Sequence, residues 1–88
     1  MKRELLEFLQ KASEDTRLQA THINVIIAAF CLKEAGDIIQ ISRKKIMKLS
    51  SVRSISTYHK CIAELVSFGY IIYQPSYHPT EGSKIQLI

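Results

Sequence analysis

Acidic residues all but vanish from the second half of this 88-residue chain. Beyond residue 40 only Glu64 and Glu81 remain, against seven cations: Arg43, Lys44, Lys45, Lys48, Arg53, Lys60 and Lys84. Residues 1–40 nearly balance, with five cations facing six acids. The whole of the +4 net charge therefore lies in the second half. A basic face joined to a slightly acidic body is the electrostatic footprint of a nucleic-acid binder. A module built to dock only a neutral partner leaves that split unexplained.

Other absences narrow the class further. No run approaches the roughly 18 apolar residues a membrane-spanning helix needs; the longest candidate, Ile23 to Leu32, is short and interrupted by Asn24. The opening MKRELLEFLQK mixes acids with apolar residues and lacks a small-residue cleavage site, so it does not read as a signal peptide. The cytoplasm is the expected compartment. Cys31 and Cys61 both fall on apolar helix faces, where they read as small core hydrophobes in a reducing environment. There is no Gly-rich phosphate loop, no paired-Cys motif and no His–Glu metal spacing. His59 and Cys61, two apart on one helix, point in different directions and make no nucleophile pair. The expectation is a protein that is not an enzyme and that uses no metal, cofactor or small-molecule ligand. The hydrophobic fraction of 47% argues against disorder. With no linker, repeat or low-complexity stretch, residues 1–88 read as one domain, 1–18 forming an N-terminal helix and connection and 19–88 the core.

What is present is periodic. Leu5, Leu6, Phe8, Leu9 and Ala12 make a broad apolar stripe on a helix from Lys2 to about Ala12, followed by the polar connection Glu14–Arg17. A second helix is expected from a cap near Thr21 to Ala35, stopped by Gly36, and is apolar almost all round between Ile23 and Leu32. Such a helix belongs in the centre of the core or is shared with a partner subunit. Asp37–Ile41 reads as a short strand. Ser42 then caps a helix to Ser50, with Ile46 and Leu49 inward and Arg43, Lys44, Lys45 and Lys48 in water. After the turn Ser50–Arg53, apolar residues at Tyr58, Cys61, Ile62, Leu65 and Phe68 mark one face of a helix that Gly69 ends. Tyr70–Tyr73 follows at once as a strand, 75–82 holds both prolines and reads as a loop, and Lys84–Ile88 returns as a strand.

That order of elements predicts a mainly α fold with a small β-hairpin wing, an α+β winged helix-turn-helix. The segment ISRKKIMKLSSVRSISTYHKCIAELVSFGYI is similar to the helix-turn-helix of bacterial winged-helix regulators. The elements STYHKCIAEL and GYIIYQPSYHPTEGS resemble those of small winged-helix proteins carried on bacterial mobile elements. The resemblance spans roughly residues 20 to 88 and implies sequence-specific binding of double-stranded DNA by a transcriptional regulator.

On this reading the helix after the turn enters the major groove. Its free face carries Ser56, His59 and Lys60 for base edges, with the small Ala63 and Ser67 beyond. Ser54 and Thr57 stand where hydroxyls and free backbone N–H groups can hold a phosphate, or simply cap the helix. Arg43, Lys44, Lys45 and Arg53 would neutralise flanking phosphates, and Tyr77, His78 and Lys84 would touch DNA from the wing. His22 reads as structural. The N-terminal half offers apolar surface for a homodimer. Two rivals use the same fold: a winged-helix interaction or dimerisation module, and a DNA-binding accessory of replication initiation or mobilisation.

Overall fold

The computed structural model describes residues 2–33, 38–75 and 82–88. The described elements are α1 (Lys2–Ser13), α2 (Ala20–Leu32), β1 (Ile38–Ile41), α3 (Arg43–Ser50), α4 (Ile55–Ser67), β2 (Ile71–Gln74) and β3 (Ser83–Leu87). They make a small α+β protein in which four helices accompany a three-stranded antiparallel sheet of order β1-β3-β2. In the register, Ile39 faces Ile85 and Gln40 faces Lys84, while Tyr73 and Gln74 face the same two β3 residues from the other side. Alternation puts Ile39, Ile41, Ile71 and Ile85 on the face the helices cover.

The centre of the core is α2, which packs against α1, α3, α4 and β1. Val25, Ile26, Ala28, Ala29 and Phe30 are buried. The helix begins one residue before the expected Thr21, because Gln19 takes the capping position and donates its backbone N–H to His22 Nδ1 at 2.9 Å. That bond leaves the proton of the neutral ring on Nε2, which lies 3.3 Å from Glu64 Oε1 and donates to it. His22 is thus the structural residue expected, tying the start of α2 to α4. The helix stops at Leu32, three residues short of Ala35, since Lys33 is already extended. Gly36, and Asp37 of the expected strand, lie outside the described residues.

Three apolar residues assigned inward turn outward. Leu6 is exposed because the buried side of α1 centres on Phe8 and Ala12. Leu49 is 53% exposed because Ile46, Met47 and Ser50 form the inner side of α3. Ser50 tolerates burial by donating its hydroxyl to the Ile46 carbonyl at 2.6 Å. Cys31 is exposed while Cys61 is buried, so only the latter is a core hydrophobe.

The connection Glu14–Arg17 does more than join helices. Asp15 accepts from Arg17 Nε at 3.0 Å and from the Tyr70 hydroxyl at 2.7 Å. The Tyr70 ring meets Phe8 edge-on at 5.6 Å, and Arg17 lies 4.4 Å over the Phe68 ring. Hydrogen bonds from Arg17 and then Tyr70 hold the Asp15 carboxyl well below the usual carboxylate range. These contacts clamp the end of α1 onto the junction of α4 and β2. Tyr70 precedes the strand because its backbone N–H is taken by the Leu65 carbonyl at the end of the preceding helix.

Candidate nucleic-acid interface

α4 is built to keep one side free. Ser54, in extended backbone, accepts the Thr57 N–H at 3.4 Å and starts the helix. Tyr58, Cys61, Ile62 and Leu65 are buried against α2 and β2. At the other end Gly69 takes φ +83°, and the Gly69 and Tyr70 N–H groups donate to Val66 and Leu65 carbonyls. That is a Schellman cap, which a residue with a Cβ adopts only under strain. The helix is thereby fixed at both ends, and Ser56, His59, Lys60, Ala63 and Ser67 all stand exposed as expected.

Within this face the residues divide. Ser56 and Lys60 are one turn apart and lie in the same row as Ala63 and Ser67, so the row bears one cation and otherwise small side chains. The Ser54 and Ser56 hydroxyls are hydrogen-bonded to each other at 2.8 Å. His59 sits to one side, its ring edge-on to Tyr58 with centroids 5.4 Å apart. The capping role is realised by the Ser54 hydroxyl, and Thr57 enters the cap through its backbone N–H.

The cations of α3 also divide. Lys44, Lys45 and Lys48 are exposed on its outward side, and Arg53 is exposed in the connection to α4. Ser42 occupies the capping position of α3 through its backbone carbonyl, which accepts the Ile46 N–H at 2.9 Å. Ser51, at φ 62°, reverses the chain after α3, and buried Val52 anchors the turn beneath Arg53. Arg43 stands apart from the lysines. Burial pushes the Tyr58 hydroxyl up to about 12 and nearby Tyr73 adds to the rise, while the positive charge of Arg43 opposes it. Arg43, itself exposed, is thus on the Tyr58 side of α3, while at the loop end of the β2–β3 hairpin the Tyr73 hydroxyl donates to Ser83 Oγ at 3.1 Å.

Lys84 is not brought to the α4 face. It is in register with Gln40 and Gln74, on the side of the sheet opposite buried Ile85. Tyr77 and His78 lie outside the described residues. Gly82, at the foot of β3, is pressed so closely on the Ile41 carbonyl that any side chain there would collide with it. The start of β3 is thus packed against the end of β1, at the entry to α3.

Periodicity gave no role to Ile55, the first residue of α4. It lies one turn before Tyr58 on the edge of the buried stripe, yet it is 49% exposed. Among the described residues no group of three or more His, Cys, Asp or Glu could hold a metal ion, and no helix is long and apolar enough to cross a membrane. Comparison with protein families, with curated proteins and with solved structures returns no match for this chain.

Proposed function

We propose that the chain is a winged helix-turn-helix protein that binds double-stranded DNA with sequence preference and acts as a transcriptional regulator. The order α2-β1-α3-α4-β2-β3 with a β1-β3-β2 sheet is compatible with that fold, α4 being the recognition helix and β2–β3 the wing. The observation that carries the reading is the α4 face itself. One side is buried and the helix is capped at both ends; the row Ser56, Lys60, Ala63 and Ser67 on the other side carries one cation among small side chains. Ile55 and Val66 are exposed beside it, and Arg43, Lys44, Lys45, Lys48 and Arg53 are exposed on the preceding elements.

A helix with Ala63 and Ser67 on its free row can approach the floor of the major groove closely. Lys60 then donates to guanine acceptors, and Ser56 reads either a donor or an acceptor. The α3 lysines, Arg53 and Arg43 sit on phosphates and fix the register without reading sequence. The exposed Leu6 and Ile27 favour pairing with a second copy, so that two α4 helices meet grooves about 34–36 Å apart.

The test is duplex binding across a salt series. Neutralising about five phosphates gives a slope of about −4 to −5 in log K against log salt. A flat salt response, or no binding to any duplex at low salt, assigns the fold to protein interaction instead. Sedimentation equilibrium reads the oligomeric state, and a monomer bound one-to-one to DNA removes the dimer.

A further inference from the structure

We propose that Ile55 is a specificity-determining residue that reads the C5-methyl group of a thymine; this rests on the DNA-binding reading above. Ile55 is a large branched side chain held in water at the very start of α4. It is not among the residues of the buried core or those packed against it. The cap of this helix uses Ser54 and Thr57, and the residue that packs from the first turn is Tyr58. The N-terminal residues of a recognition helix are the ones that reach base edges. Next to Ile55 in the chain, the hydroxyls of Ser54 and Ser56 and the guanidinium of Arg53 supply hydrogen bonding and charge for a duplex, which leaves Ile55 as the apolar group at this end of the helix.

In the major groove the thymine methyl is the one apolar feature on any base-pair edge, and aliphatic contact is how it is read. An exposed aliphatic two residues from a phosphate-binding arginine, Arg53, matches that chemistry. The remaining exposed isoleucines serve as internal controls, since Ile72 is equally exposed, at 49%, but stands on the outer face of the sheet beside Gln86. On this assignment the preferred site contains a thymine in contact with Ile55, near the base pair that Lys60 reads.

The experiment selects a preferred duplex from a random pool with the full chain, then replaces its thymines one at a time by uracil, which lacks only the methyl. One thymine of each half-site is expected to cost wild-type protein about fourfold in affinity, the effect of one buried methyl-sized group. Ile55→Ser should bind the thymine and uracil duplexes equally, whereas Ile72→Ser should keep the fourfold difference. Melting curves of both variants establish that they are folded. If no unmodified duplex is bound, the DNA reading fails and this assignment with it. If the duplex is bound but uracil costs nothing, or costs wild type and Ile55→Ser alike, the assignment to Ile55 alone is overturned.

Discussion

α2 and α4 are both thirteen-residue helices rich in apolar residues, and the fold uses them in opposite ways. α2 is covered from several sides by α1, α3, α4 and β1, and what remains exposed, Ala20, Asn24, Ile27 and Cys31, carries no charge. α4 touches α2 and β2 along one stripe and leaves the rest of its circumference in water. A helix enclosed in this way has its sequence dictated by packing. One that is supported along a single stripe can be written for a ligand on the other faces. The difference also limits the case for a dimer through α2. Its nearly continuous apolar run is consumed inside one chain, leaving Ile27, 37% exposed, as its one large exposed hydrophobe among the described residues.

The largest effects should fall where the two helices are alike. Ile26 of α2 and Leu65 of α4 are both fully buried, so truncating either to Ala should cost about 2–5 kcal/mol in denaturant unfolding. A much smaller cost at Leu65 than at Ile26 would mean that the face of α4 is wrongly assigned. A pH series should then expose the buried stripe of α4 specifically. Burial raises the Tyr58 hydroxyl to about 12 and the Cys61 thiol to about 11. Both groups are held neutral by the fold, so their contribution is intact below about pH 9 and lost as pH rises from 9 towards 12. Tyr58→Phe with Cys61→Ala should flatten that alkaline loss, and an unchanged profile would place its origin elsewhere.

Binding should separate the helices next. Lys60→Ala is expected to lose about 1–3 kcal/mol of discrimination at one base pair. Lys44→Ala or Lys45→Ala should weaken all sequences alike and reduce the salt slope by about 1, while Asn24→Ala on α2 leaves binding unchanged. Identical behaviour of Lys60 and Lys44 variants would mean that α4 is not in the groove. The smallest effect is on stability at the free row, where Ala63→Ser should stay within about 0.5 kcal/mol in the same unfolding assay.

Much of this was legible in the chain. The stripe Tyr58, Cys61, Ile62 and Leu65, the stop at Gly69, the span of α3 and the order of elements follow from local rules: period, cap and turn chemistry act over a few residues. The exposed row Ser56, Lys60, Ala63 and Ser67 is the complement of that stripe and was equally readable. Where the reading failed, the deciding contact was distant. Leu6 and Leu49 fit their helical stripes but stay more than half exposed, and Cys31 sits on the exposed side of α2 with Asn24 and Ile27. The register that sets Lys84 opposite Gln40, which no local pattern addresses, depends on pairing with β1, more than forty positions earlier in the chain. The clamp of Asp15 on Tyr70 spans 55 residues and leaves no local pattern.

By itself, then, the sequence determined the elements, the side of α4 that is buried and the concentration of positive charge in the second half, because each depends on neighbours along the chain. Tertiary structure alone decided which apolar residues remain in water, Ile55 among them. Exposure is a property of what lies opposite a side chain, and only the assembled helices and sheet supply that.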